Sequence, residues 1–130
     1  MHLLRTLLFV TAAISAHALP AQEWRGAPEY DVLLSSYDIA PKTIYLKAGE
    51  PVRLRFVNNS DRSLDFAAGA FFASAKMRER DADMVSGGKI RVRAGQTRTL
   101  VLMPRPGRYG AGGGNFIYRL LGMRGSIIVE

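Results

Sequence analysis

Strict alternation of apolar and polar residues is the feature that most constrains the fold of this chain. In PVRLRFVN, Val52, Leu54 and Phe56 alternate with arginines, and KIRVRAG repeats the pattern with Ile90 and Val92. A period of two places successive side chains on opposite faces of a strand, so both segments predict half-buried strands. Further short strands are predicted at 30–34, 42–50, 97–104, 107–110 and 125–130. Seven short strands separated by turns indicate an all-β sandwich of two antiparallel sheets.

One segment departs from the strand pattern. Residues 68–88, AGAFFASAKMRERDADMVSGG, are rich in Ala, Lys, Arg, Glu and Met, which favour helix and lack β-branching. They predict one or two helical turns over about 70–80, with the two phenylalanines packed inward and Lys76, Arg80 and Asp81 facing water. The expected fold is therefore a Greek-key β-sandwich of about seven strands with one short helical insertion.

The N-terminal segment has the pattern of a secretory signal. Arg5 precedes an apolar run, 6–16, that is too short to span a bilayer as a helix, and small residues follow it. Cleavage after Ala18 or Ala21 satisfies the small-residue rule, and an uncleaved membrane anchor is the alternative. The predicted organisation is a signal peptide over 1–21, a loose lead-in over 22–29 and one domain over 30–130.

Export to a bacterial periplasm, with no membrane span after cleavage, follows from that organisation as an expectation. Removing the leader also changes the available chemistry. Both histidines, His2 and His17, lie within it, and the chain has no cysteine. Residues 22–130 therefore cannot supply a zinc site of His and Cys, a disulfide, a Cys nucleophile or a His general base. No spacing of carboxylates or of Arg and Tyr singles out a catalytic site, so we do not expect an enzyme.

The charge balance of the chain is basic. Without Arg5, 17 Lys and Arg face 11 Asp and Glu. This excess agrees with an anionic partner, but a solvated arginine-rich surface is the more usual explanation. We expect the partner to be an unidentified periplasmic protein or an anionic surface, and we expect no nucleic acid. The outward arginines at 53, 55, 91 and 93 would form one patch only if their strands were neighbours.

Three stretches of the chain share their pattern with one protein family. They are IAPKTIYLKAGEPVRLRFVNNS, SLDFAAGAFF and PGRYGAGGGNFIYRLLGMRGSIIVE. The first has a strand, an Ala-Gly-Glu turn and an alternating strand that ends in Asn, and the last has Pro-Gly-x-Tyr and a Gly-Met-x-Gly corner. Together they resemble small bacterial cupredoxin domains over residues 30–130. The resemblance implies a cupredoxin-like sandwich.

The same resemblance implies where a copper ion would be held. A type 1 site needs two imidazoles and a thiolate, with a weak axial thioether. Carried over by position, the first His falls on Asp65, the Cys on Gly113, the second His on Tyr118 and the axial Met on Met123. Only Met123 matches a family ligand. The site is therefore expected to be degenerate, with Met123 and Asp65 as the remaining candidate metal ligands and no cofactor expected.

Two functions follow from these residues. The first is an exported cupredoxin-fold protein that has lost the type 1 copper site and acts as a binding or accessory domain. It would act through the loops around Asp65, 110–115 and Met123. The alternative is a copper-binding or copper-handling protein, or the family's electron-transfer role. Cu(I) would then be held by thioethers, of which the candidates are Met77, Met84, Met103 and Met123.

Asp65 carries a further expectation. A buried carboxylate without a partner is costly, so a buried Asp65 needs a hydrogen-bond donor or a cation. The candidates are Tyr118, Arg119 and the backbone N–H groups of the glycine loop.

Overall fold

The computed structural model describes residues 24–130, so the predicted signal peptide over 1–21 lies outside the described residues. The chain forms eleven strands in the described part: β1 (Glu29–Ser35), β2 (Asp38–Ala40), β3 (Thr43–Leu46), β4 (Val52–Asn58), β5 (Leu64–Ala67), β6 (Lys76–Met77), β7 (Val85–Ser86), β8 (Lys89–Val92), β9 (Thr97–Met103), β10 (Gly107–Gly113) and β11 (Arg124–Val129).

These strands form two sheets, and the predicted all-β sandwich is confirmed. The first sheet has the order β2-β1-β4-β9-β6, and the second has the order β3-β11-β10-β5-β8-β7. Most neighbouring strands are antiparallel, as expected, but β1 pairs with β4 in parallel and β3 pairs with β11 in parallel. All seven predicted strands are present. The four additional strands are only two to four residues long, which is too short to show a clear alternation.

The burial of residues along β4 follows the alternation of the sequence. Val52, Leu54 and Phe56 are buried, whereas the arginines between them are only half-buried. The ring of Phe56 lies 4.8 Å from that of Phe66 on β5, in the opposite sheet. Each large side chain enclosed in this way contributes about 1.5–3 kcal/mol to the free energy of folding. At the end of β4, the buried amide of Asn58 donates hydrogen bonds to two backbone carbonyls and so joins the strand to the turn after it.

The four outward arginines of the alternating strands do not form one patch. Arg53 and Arg55 lie on β4 in the first sheet, whereas Arg91 lies on β8 in the second and Arg93 directly follows that strand. Arg55 lies instead near Asp31, with Nη1 3.6 Å from Oδ1. The strands are therefore not neighbours within a sheet, and each pair of arginines belongs to its own surface.

The helical insertion is shorter than predicted. Helix α1 (Gly69–Ser74) buries both phenylalanines as expected, but the chain then forms β6 and a 3₁₀ helix (Glu79–Met84). Asp81 is buried, at 1% exposure, although the sequence indicated that it faces water. Its Oδ2 accepts hydrogen bonds from the Arg78 side chain and from the backbone N–H of Val101. This carboxylate therefore fastens the insertion to β9.

The N-terminal lead-in also packs on the sandwich. Trp24, the first described residue, is buried against Val101 and Met103 on the outer side of β9. The carbonyl of Pro28 accepts a hydrogen bond from the Arg53 N–H at 2.8 Å, immediately next to the start of β1. The segment expected to be loose is thus held from Trp24 by a second, smaller apolar cluster. In the part of the chain that is described, no helix has the length and apolar character needed to cross a membrane.

Candidate functional site

The four positions implied by the resemblance meet at one end of the second sheet. Asp65 lies on β5, and Gly113 is the last residue of β10, which pairs with β5 at Phe66. Helix α2 (Phe116–Leu120) carries Tyr118 and leads to Met123, which immediately precedes β11. The side chain of Asn115 caps this helix, because its Oδ1 accepts a hydrogen bond from the Tyr118 N–H at 3.0 Å.

Met123 and Tyr118 fill the space over Gly113. The N–H of Gly113 donates to the Met123 carbonyl at 2.8 Å, and the N–H of Met123 donates to the Tyr118 carbonyl at 2.9 Å. A Cβ atom on Gly113 would lie 2.7 Å from the Tyr118 Cβ and 2.9 Å from the Met123 Sδ. Met123 itself is fully buried. The position where the family has its Cys is therefore closed to a side chain unless its neighbours move.

Asp65 is held by a cation from the neighbouring strand. The Arg91 Nε lies 2.9 Å from Oδ1, and its Nη2 lies 3.2 Å from Oδ2. The two residues stand directly opposite each other on β5 and β8. Through this hydrogen bond and its charge, the carboxylate raises the pKa of the Arg91 guanidinium. Asp65 also lies against the glycine loop, since a Cβ on Gly114 would approach its Oδ2 to 2.6 Å.

Asp65 is half-buried, and its partner is not among the candidates that were predicted for a buried carboxylate. Arg119 turns away from it, and its Nη1 donates to the Gly113 carbonyl at 3.1 Å. Tyr118 stacks on Tyr37, with ring centroids 5.4 Å apart. The neighbouring Tyr118 phenol raises the pKa of the Arg62 guanidinium. The sequence does not show that Arg91 stands opposite Asp65, because it does not give the register between β5 and β8. Once the register is known the pair is expected, because opposite charges directly across a strand pair are favourable partners.

These residues do not fit a type 1 copper site. The four positions offer a carboxylate engaged by Arg91, a glycine, a phenol and one enclosed thioether. Such a site requires two imidazoles and a thiolate, and the described residues have neither group. Within residues 24–130, no three or more His, Cys, Asp or Glu side chains are grouped so that they could hold a metal ion.

The methionines do not gather at this end either. Met77 stands opposite Leu102, and Met103 stands opposite Lys76, in the pairing of β6 with β9. Successive residues of a strand face opposite sides, so Met77 points to the main core and Met103 to the Trp24 cluster outside it. Met123 belongs to the second sheet's end. A thioether site shared by Met77 and Met103 is excluded by this placement.

The most conspicuous feature of the site was not anticipated from the sequence. Phe116, Ile117, Leu120 and Leu121 on and after α2 are 56–67% exposed. The available signal was the run FIYRLL, which has five apolar or aromatic residues in six and no strand alternation. We call these four residues the apolar tip.

Known proteins are similar to this chain at the level of the fold. No sequence-family model matches the chain, and no curated protein matches it. Among solved structures, auracyanin B is similar, with 22% identity and a TM-score of 0.58 over 80% of this chain and 89% of that one. This chain has a cupredoxin-like fold.

Two further structures agree. Auracyanin A, a "blue" copper protein from Chloroflexus aurantiacus, shares 17% identity and a TM-score of 0.55 over 80% of this chain and its own full length. A multicopper oxidase from Campylobacter jejuni shares 13% identity and a TM-score of 0.59, over 78% of this chain and 30% of the oxidase. The cupredoxin-like resemblance is therefore confirmed. At these identities the likeness concerns the fold and not the chemistry.

Proposed function

We propose that this chain is an exported periplasmic protein that has lost the type 1 copper site and works as a binding or accessory domain. The observation that carries the proposal is the packing of Gly113 beneath Met123 and Tyr118. A cupredoxin-like fold that bound copper in the usual place would need a thiolate there, and that space is occupied. Asp65, at the first His position, has a bidentate partner in Arg91 and so has a structural reason to be present.

The working surface of this domain is the loop end that carries Asp65, 110–115 and the apolar tip. In the cupredoxin-like fold this end is built from loops that a rigid sandwich positions, and such loops tolerate changes of function without loss of the core. Exposed apolar side chains in a group point to binding. A binding role therefore fits this end of the molecule, where the described residues offer no cluster of metal ligands.

Metal analysis of the protein purified after export tests this proposal. Cells are grown with added copper, periplasmic and cytoplasmic fractions are compared, and the purified protein is assayed for metals before and after a chelator wash. We expect the protein in the periplasmic fraction with far less than one copper per chain. Stoichiometric copper that survives the chelator would overturn the metal-free function, and retention in the cytoplasm would overturn export.

A further inference from the structure

The apolar tip is an inverted amphipathic turn. At 100° per residue, the four apolar side chains fall within an arc of about 140°. Tyr118 and Arg119 occupy the other side, and these two contact the domain through Tyr37 and the Gly113 carbonyl. The side of the helix with Tyr118 and Arg119 thus contacts the protein, although Arg119 stays exposed, and the apolar side faces solvent. This is the reverse of an ordinary surface helix.

Cations without acidic partners surround this tip. Lys89 donates to the Gly114 carbonyl at 2.7 Å, and Arg119 donates to the Gly113 carbonyl at 3.1 Å. These are neutral acceptors, so the positive charges remain. Together with Arg124, these side chains have no acidic group within ion-pair distance among the described residues.

The acids at this end are already paired. Asp65 is held by Arg91, and Asp38 lies 2.6 Å from the Nζ of Lys42. Asp61 lies 3.7 Å from the Nε of Arg62. Over the longer segment 84–129 the chain has eight Lys and Arg and no Asp or Glu, whereas the whole chain has a net charge of +7. The charge excess is therefore concentrated in the segment that forms the tip.

We propose that the apolar tip inserts into the interface of an anionic lipid membrane, while Lys89, Arg119 and Arg124 contact the headgroup phosphates. Apolar side chains that enter the headgroup boundary, flanked by cations that attract anionic lipid, are the two contributions that hold a protein reversibly at a membrane surface. The inference rests on the proposed function, because it names the partner of the loop end described there. It adds a membrane surface as the ligand class.

The size of the feature favours lipid over a protein partner. A stable protein interface buries about 800 Å² on each side, over about 20–30 residues. The apolar tip is four side chains on a single turn of helix. A bilayer interface accepts such a small apolar group because the charge attraction extends beyond the contact itself.

Vesicle co-sedimentation of the exported protein tests the inference. The probes are vesicles of phosphatidylglycerol with phosphatidylcholine and vesicles of phosphatidylcholine alone, each at low and high salt. We expect binding to the anionic vesicles that weakens at high salt. In Leu120→Gln/Leu121→Gln the affinity for anionic vesicles falls by about tenfold or more, because the inserted apolar area is lost.

Two matched controls test whether vesicle binding depends on the apolar tip and its cations, or on any exposed aromatic side chain and any positive charge. Tyr45→Gln removes a side chain that is 66% exposed on β3, and we expect unchanged binding. Arg124→Gln weakens binding more than Arg108→Gln does. These arginines lie near opposite ends of the same β10–β11 pair, Arg124 opposite Gly112 and Arg108 opposite Ile128.

Several outcomes would overturn the inference. They are no binding to anionic vesicles, equal binding of the tip variant, and tip-dependent self-association in place of lipid binding, which would make a second copy the occupant. Copper content is measured on the same samples. A metal-free protein that does not bind vesicles would contradict only this inference. A copper-loaded protein that binds vesicles would contradict only the proposed loss of the copper site.

Discussion

Arg91 holds Asp65 in a bidentate ion pair across β5 and β8, with Nε to Oδ1 at 2.9 Å and Nη2 to Oδ2 at 3.2 Å. By the resemblance to cupredoxin domains, this carboxylate would stand at the position of a copper ligand. The fork of the guanidinium engages both oxygens, which is the strongest geometry available to such a pair. Asp65 therefore pairs with Arg91 across the two strands, and each of its oxygens already accepts one hydrogen bond.

Removing Arg91 tests that assignment. We expect Arg91→Gln to lower the urea midpoint of unfolding slightly, because Asp65, whose side chain is only 20% exposed in the parent, loses its cation. Arg93→Gln is the matched control, since Arg93 is exposed and forms no ion pair in the described part of the chain. Equal midpoints for the two variants would contradict a structural role for the pair.

The packing at Gly113 gives a prediction with a built-in control on the same strand. A methyl group at this position meets Tyr118 and Met123 at less than 3.0 Å, so we expect Gly113→Ala to lower the free energy of unfolding by about 1–3 kcal/mol. Gly110 has open space around its Cα, and Gly110→Ala is expected to be neutral or to stabilise by up to about 1 kcal/mol. Urea denaturation of both variants provides the comparison, and a neutral Gly113→Ala would show that the space over Gly113 is open.

Much of the sandwich was predictable, because β4 and β8 alternate strictly and their burial follows the alternation. The structure of the insertion over 68–88 was less predictable. Helix propensity over 70–80 is a local quantity, but β6 forms there because the edge of β9 offers hydrogen bonds to Lys76 and Met77. Asp81 is buried because of the Val101 N–H, a partner 20 residues away in sequence. The types of the residues along the chain do not indicate such long-range hydrogen bonds.

The site was predictable in position and not in contacts. The resemblance placed Asp65, Gly113, Tyr118 and Met123 together, and they do meet. The pairing of Asp65 with Arg91 depends on the register of two strands, which composition does not encode. The exposure of the apolar tip depends on which side of α2 faces the domain. Tyr118 stacks on Tyr37 on the side that faces the domain, whereas hydrophobicity alone would favour the opposite orientation.

The buried carboxylate of Asp81 predicts a large loss of stability on substitution. In Asp81→Ala the Arg78 side chain, at 16% exposure, and the Val101 N–H both lose their acceptor. We expect the free energy of unfolding to fall by about 3 kcal/mol. Asp83→Ala, two residues away and exposed, is expected to change it by less than about 0.5 kcal/mol. Chemical denaturation of the pair provides the measurement, and similar losses would contradict the assigned contacts.

The pairing of Asp38 with Lys42 predicts a small contribution to the free energy of unfolding that depends on pH. Its hydrogen bond with Lys42 lowers the pKa of the Asp38 carboxyl below the ordinary value of 3.8. A lowered folded-state pKa stabilises the fold above pH 3.8 and loses that contribution as the pH falls through the lowered value. Because Asp38 is 51% exposed, the contribution is only a few tenths of a kcal/mol. We expect Asp38→Asn to be slightly less stable than the parent at pH 7 and equal to it well below pH 3.8, and a difference that grows in acid would contradict the sign.

Met123 decides between the metal-free function and the thioether alternative. Its Sδ is enclosed between Gly113 and Tyr118 and has no exposed surface, so a Cu(I) ion could reach it only if the loop opened. We therefore expect a Cu(I) competition titration to give the same affinity for Met123→Leu as for the parent, at a stability cost below about 1.5 kcal/mol because the swap conserves volume. Met103→Leu, on the outer face of β9, is the control for a general loss of thioethers. A clear drop in Cu(I) affinity for Met123→Leu alone would favour the copper-handling function.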